Sequence, residues 1–269
     1  MTKPLMIDLF AGLGGWAEGG LAEGYRVVGF DIEQHVYGEH RYPAQLVVQD
    51  VLTLHGSQFK DAALIVASPP CQAYSYMAMP WKLAKAKAAA IRADTTGQKL
   101  ADLNRLFDAC FRIQKEASSA ADRHIPMVVE NVRGAQPWVG RARGNYGSFY
   151  FWGDVPALMP ITLKVAKVPG FRFDGSGKTF QSASVEAVKV PSTSGRRSDK
   201  GKGARFTSRD CGLEGRKGAG AGAIWFDQNL CQFSSKSTSR KMASAMIAKI
   251  PLSVSRHIAA TYKPAKDTP

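Results

Sequence analysis

Apolar and polar positions along the first 155 residues alternate between two periods. Short runs of four to seven apolar residues recur at 5–10, 25–31, 45–51, 62–67, 125–129 and 148–153, each bounded by glycine, proline or an acid. Runs of this length, rich in Val, Ile and Phe, read as buried strands. Between them lie stretches with a helical period. Residues 16–23 read as a short helix. Residues 98–117 place Leu100, Leu103, Leu106, Phe107, Cys110, Phe111 and Ile113 along one stripe. Strands alternating with helices predict an α/β fold, a doubly wound and mostly parallel sheet.

The polar residues at the strand ends carry the candidate chemistry, because open α/β sheets bind ligands at the carboxyl ends of their strands. The first strand runs into Asp8-Leu-Phe10-Ala11-Gly12-Leu13-Gly14-Gly15, just before the first helix. Glycines there let a backbone approach a ligand, and a helix start presents unpaired N–H groups. The spacing is neither the dinucleotide Gly-x-Gly-x-x-Gly pattern nor a P-loop. The strand at 62–67 runs into Ser68-Pro69-Pro70-Cys71-Gln72-Ala-Tyr74-Ser75, where two prolines stiffen the approach to a thiol. The strand at 125–129 ends in Glu130-Asn131-Val132-Arg133. A carboxylate there could hydrogen-bond a ring nitrogen or an exocyclic amine; the plain alternative is a helix cap.

These three segments together, in this order and spacing, resemble the DNA (cytosine-5) methyltransferase family. That family carries a Phe-x-Gly-x-Gly-Gly loop, a Pro-Cys-Gln nucleophile loop and a Glu-Asn-Val strand end. The resemblance implies a Rossmann-like S-adenosylmethionine-dependent fold. It implies S-adenosyl-L-methionine as cofactor, held by Asp8, Phe10, Ala11, Gly12, Leu13, Gly14, Gly15, Asp31, Ile32, Asp50, Val51 and Pro70. The plain alternative for Asp50 is a cap on the next helix. Cys71 becomes the nucleophile on cytosine C6 and Glu130 the partner of N3 and the 4-amino group. Ser68, Pro69, Gln72, Ser75, Asn131 and Arg133 are placed at the substrate. The family's arginine on the cytosine carbonyl has only Arg141 and Arg143 to match it, in an altered register, and a phosphate role fits them as well. The residues from Tyr74 to Lys87 suit a flexible basic flap, or else a plain surface connection.

Composition narrows the partners. The chain has 269 residues and a net charge of +14. Such an excess points to a polyanion, most simply nucleic acid; the resemblance implies double-stranded DNA. Residues 167–218 hold 12 Lys/Arg against 5 Asp/Glu among many Gly and Ser. They read as a solvated loop or as a short target-recognition arm. The expected division is 1–165 for the catalytic domain, 166–225 for recognition, and 226–269 for a C-terminal segment packing back on the first. That segment reads as helix, break at Pro251, helix, and lacks the Asn that the family places before its Ile-Pro step. The four cysteines form no CxxC pair, so no metal and a reducing cytoplasm are expected. No apolar run reaches the ~20 residues that span a bilayer, and no signal-peptide pattern is present, so no membrane partner is expected. No heptads or apolar stripe call for a dimer, so a monomer is expected.

Three functions remain: a DNA cytosine-5 methyltransferase, a tRNA methyltransferase with the same core, or a silent relative that binds nucleic acid. A cysteine hydrolase is disfavoured, because no His follows in a plausible base position: His124 precedes a strand and His257 lies on the terminal helix.

Overall fold

The computed structural model describes residues 2–75, 81–160, 241, 245–246 and 248–265. The elements, in order, are β1 (Leu5–Leu9), α1 (Gly15–Ala22), β2 (Arg26–Asp31), β3 (Val36–Tyr37), β4 (His40–Arg41), β5 (Gln45–Val48), β6 (Ala62–Ala67), α2 (Trp81–Arg92), α3 (Gln98–Ala121), β7 (Met127–Val132), α4 (Gln136–Val139), β8 (Gly144–Tyr146), β9 (Phe149–Gly153) and α5 (Leu252–Thr261). Seven strands form one sheet in the order β5-β2-β1-β6-β7-β9-β8. The first five are mutually parallel. β9 runs antiparallel to β7, and β8 to β9. The fold is thus a Rossmann-like, mostly parallel α/β sheet.

Strand alternation sorts the core into two layers. Ile7, Leu9, Val28, Phe30, Ile65, Ala67, Met127 and Val129 face α3, where Phe107, Cys110 and Ile113 meet them. Met6, Val27, Leu64, Val66, Val128 and Phe151 face α1 and α5, packing on Trp16, Ala17, Val254 and Ile258. Cys110 is buried and its thiol donates to the Leu106 carbonyl, so it belongs to packing.

One expectation changes. Residues 81–92 are a helix, not part of a flexible flap; the Ala- and Lys-rich run from Lys82 to Ala90 favours helix strongly enough to order it. Between β2 and β5 stands the short β3–β4 hairpin. The edge strand ends at Val48, and Val51 already belongs to a 3₁₀ turn.

The chain divides into two units, Met1–Thr162 with Lys249–Pro269, and Leu163–Ala248. The whole of the expected recognition region lies outside the described residues, as does the start of the expected C-terminal segment. Residues 249–265 fall in the first unit: α5 packs along α1, and Arg256 pairs with Glu23 at 2.9 Å.

Candidate active site

The site begins with topology. β1 and β6 are neighbours, with Leu9 opposite Ala67. From β1 the chain crosses to β2 on one side; from β6 it crosses to β7 on the other. The loops after these two strands therefore part, and the crevice between them is where such sheets hold ligands. The Ser68 N–H donates to the Leu9 carbonyl at 3.2 Å, joining the two loops at their root.

The glycine loop follows β1. Phe10 has φ +60°, a left-handed backbone that a bulky residue adopts only where its surroundings impose it. The Ala11 N–H donates to Phe30 O at 3.0 Å, and the Gly12 N–H donates to Asp31 Oδ2 at 2.8 Å. The loop is thereby held across the end of β2. A Cβ on Gly12 would have no atom nearer than 4.0 Å, so open space lies beside it. Gly14 is different: with φ +77° it caps α1, and a Cβ there would lie 2.3 Å from Pro43. A Cβ on Gly15 would lie 2.4 Å from the Ile250 nitrogen. Leu13 and Ala11 are buried behind the turn.

Two carboxylates flank this loop in opposite states. Asp8 is 1% exposed; Tyr42 donates to its Oδ2 at 3.1 Å, and its Oδ1 has no hydrogen-bond partner among the described residues. Burial raises the Asp8 pKa well above the usual carboxylate value, while Tyr42 and the nearby Ala17 N–H oppose the rise. Burial also acts on Asp31, but His35 and the Gly12 and Glu33 N–H groups outweigh it and hold Asp31 below its ordinary value. Ile32, just beyond, is 69% exposed. Asp50 accepts the Leu52 N–H at 2.9 Å and so caps the turn after β5, and Val51 is part of the core.

The thiol loop follows β6. It is pinned on both sides of Cys71. Before the cysteine, Asn131 Nδ2 donates to Pro69 O at 2.9 Å, while Asn131 Oδ1 accepts the Val132 N–H. Both polar groups of this buried side chain are thus bound to backbone, so Asn131 holds the loop. After the cysteine, the Tyr74 and Ser75 N–H groups donate to Cys71 O at 3.0 and 2.9 Å. Tyr74 then donates to Asn104 Oδ1 at 3.0 Å, and Asn104 donates to Trp138 O at 2.9 Å. Pro70 and Gln72 are exposed. A cavity of about 520 Å³ lies between this loop and α2 and α3, lined by Pro69, Gln72, Ile91 and Leu103 among others.

Glu130 stands beside this loop because β6 and β7 pair in parallel register, Ala67 opposite Val129. The next residues of each strand, Ser68 and Glu130, are therefore neighbours. Burial pushes the Glu130 pKa up to about 8, against a hydrogen bond from Ser68. Cys71 is half-buried; burial raises its thiol pKa, and the Glu130 charge raises it further. The two groups are near enough to sense each other, and one negative charge is favoured over two.

The arginines are less closely placed. Arg133, Arg141 and Arg143 are all exposed. Neither Arg141 nor Arg143 hydrogen-bonds Glu130 or the Cys71 loop through its guanidinium among the described residues. In register, Gly144 lies opposite Phe151, which lies opposite Glu130. Arg143 thus starts about 10 Å from Glu130, two strand spacings away.

Three contributors were missed in the sequence. Trp16 donates through Nε1 to Ser68 Oγ at 2.9 Å, Tyr42 binds Asp8, and Asn104 anchors Tyr74. Trp16 had a signal, as an aromatic directly after the glycines; Tyr42 had none, because nothing local ties it to β1. Among the described residues no group of three or more His, Cys, Asp or Glu could hold a metal, and no helix is long and apolar enough to cross a membrane.

Comparison with solved structures finds similarity to three methyltransferases over about half of this chain. A prophage-encoded E. coli protein described as a DNA modification methyltransferase is 24% identical, with TM-score 0.32, covering 49% of this chain and 33% of that one. S. pombe Dnmt2 is 15% identical, with TM-score 0.32, covering 52% and 37%. Entamoeba histolytica methyltransferase EhMeth is 15% identical, with TM-score 0.33, covering 52% and 41%. The chain thus spans well under half the length of each. No curated protein matches it. Over residues 5–91, which carry the glycine loop, Asp31 and the Cys71 loop, the chain matches the C-5 cytosine-specific DNA methylase family.

Proposed function

We propose that this protein is an S-adenosylmethionine-dependent DNA cytosine-5 methyltransferase working through a covalent Cys71 adduct. The observation that carries the reading is the adjacency of a half-buried thiol and a buried carboxyl with raised pKa, at the ends of neighbouring parallel strands.

The crevice suits the cofactor. Asp31, held as a carboxylate, matches a ribose diol. Open space beside Gly12 admits a ligand against backbone, and the buried Asp8 keeps one oxygen unpaired. Phe10 would stack on the adenine and Ile32 would pack near it. S-adenosylmethionine, when bound, supplies an electrophilic methyl group.

The chain's own residues do the rest. Cytosine C5 is a poor nucleophile until the ring gains electron density. The Cys71 thiolate adds to C6, forming a C–S bond and pushing electrons toward N3 and C5. Glu130, carrying its proton at neutral pH, donates to N3 and stabilises the charge that builds there. It also leaves Cys71 without a negative neighbour, which favours the thiolate. After C5 is methylated, loss of the C5 proton expels Cys71 and restores the ring. Since these atoms are stacked inside duplex DNA, the base must flip out first. Arg141 and Arg143 serve the cytosine carbonyl or a flanking phosphate. The +14 charge supports a nucleic-acid partner, and the basic segment 167–218 would supply phosphate contacts.

The test is methyl transfer from labelled S-adenosylmethionine to unmodified duplex DNA, with wild type and Cys71→Ala in parallel and the product mapped at base resolution. Label on cytosine C5 with wild type alone is expected. Label on tRNA and not on DNA would overturn the substrate; no label on either, from a folded protein that binds the cofactor, would overturn the reaction.

A further inference from the structure

Trp16, Ser68 and Glu130 all lie on the α1 side of the sheet, from three different segments. Trp16 is the second residue of α1, directly behind the glycine loop, and is 2% exposed. Its ring meets Phe151 edge to face at 6.2 Å, and Phe151 is the β9 partner of Glu130. The indole is therefore fixed by packing, and its Nε1 reaches Ser68 Oγ at 2.9 Å. An indole N–H can only donate, so Ser68 Oγ must accept there. A serine hydroxyl has one proton, and this contact does not use it. Ser68 itself is fixed by its N–H bond to Leu9 and by the strand register that sets it beside Glu130.

We propose that Trp16 and Ser68 are positioning residues for Glu130: the indole N–H turns the Ser68 hydroxyl so that its proton meets the Glu130 carboxyl, tying the carboxyl's orientation and protonation to the start of α1. This rests on the reading of Glu130 as the group that meets the base. The Ser68 hydrogen bond acts on Glu130 as a donated proton does, favouring the carboxylate and limiting the rise that burial imposes. Because Cys71 senses the Glu130 charge, the chain of contacts extends to the thiol. The cofactor loop, the nucleophile loop and the acid are then linked through one hydroxyl.

The test uses the full chain and two readouts. The first is the pH dependence of Cys71 alkylation by iodoacetamide, followed on the Cys71 peptide by mass spectrometry, so that it needs no turnover. Without the donated hydrogen bond Glu130 keeps its proton to higher pH, and Cys71 ionises with less opposition. Trp16→Phe and Ser68→Ala should each lower the thiol midpoint, by up to about one pH unit. The double variant should go no further than Ser68→Ala, since residues in series do not add. Ser68→Thr should restore the wild-type midpoint. In a Glu130→Gln background Ser68→Ala should change nothing. The second readout is the alkaline limb of the methyl-transfer pH profile, which should move up in the same variants.

Unmoved midpoints in folded Trp16→Phe and Ser68→Ala, or additive shifts in the double variant, would overturn the proposal. Should Trp16→Phe fail to fold, Ser68→Ala and Ser68→Thr with and without Glu130→Gln decide it. A wild type that transfers no methyl group would sink the proposed function, while the alkylation profile would still judge the Trp16–Ser68–Glu130 chain.

Discussion

Asn131 holds the Pro69 carbonyl at 2.9 Å, two residues ahead of Cys71 and across from the strand that carries it. The thiol's position is thus set by a buried amide on β7, next in sequence to the acid that shares the site. Asn131→Ala leaves a buried carbonyl unpaired, which typically costs about 1–3 kcal/mol. We expect urea unfolding to show a loss in that range, and turnover to fall by more than the loss of folded protein explains. An unchanged unfolding midpoint would show that the clamp is not formed.

Asp31 and Gly12 form the corresponding clamp at the cofactor end. Asp31→Asn removes the charge from a hydrogen bond that, with an ionised acceptor, is worth about 1.5–3 kcal/mol. Titration calorimetry with S-adenosylmethionine should show affinity reduced by about tenfold or more, with duplex DNA affinity little altered. Equal cofactor affinity in the two proteins would remove Asp31 from the site.

Glu130 makes stability depend on pH. It keeps its proton in the folded chain up to about pH 8, while the unfolded chain releases it near 4.5. Between those values the unfolded state sheds a proton that the folded state retains, so this group's contribution to stability falls as pH rises, levelling off above about 8. Glu130→Gln removes that penalty. The variant should be more stable than wild type at pH 8.5, by up to a few kcal/mol, and the gap should close toward pH 5. Denaturant melts at the two pH values check this; a gap that does not widen with pH contradicts it.

Gly15 tests the packing of α5 on α1. A Cβ there would lie 2.4 Å from the Ile250 nitrogen and 2.8 Å from its carbonyl oxygen, both backbone atoms that cannot swing aside. Gly15→Ala should destabilise by about 1–3 kcal/mol. Limited proteolysis should cut near residue 249 sooner than in wild type.

Much of this site was legible because its residues sit at strand ends, where a period of two and a change to glycine, proline or acid mark both the element and its exit. Cys71, Glu130 and Asp31 lie within four residues of such ends. What stayed hidden has a nonlocal cause. Tyr42 lies 34 residues from Asp8 and follows the β3–β4 hairpin, so nothing local links the two. Trp16 reads as the apolar start of a helix, and its N–H role depends on Ser68, 52 residues away. Residues 81–92 follow proline and hold scattered lysines, which resembled a flap; their alanines form a helix instead. Resemblance alone places Asn131 at the substrate; its bond to Pro69 O, 62 residues away, cannot be read from the sequence.

The contact between Gly15 and Ile250 joins points 235 residues apart. During synthesis the backbone that covers the glycine turn comes off the ribosome only after 235 further residues have followed it. Closing so long a loop is slow, so a nascent or truncated chain would present β1 and α1 without this cover. Until residue 250 has emerged, the turn that begins α1 stands without the backbone that packs against it.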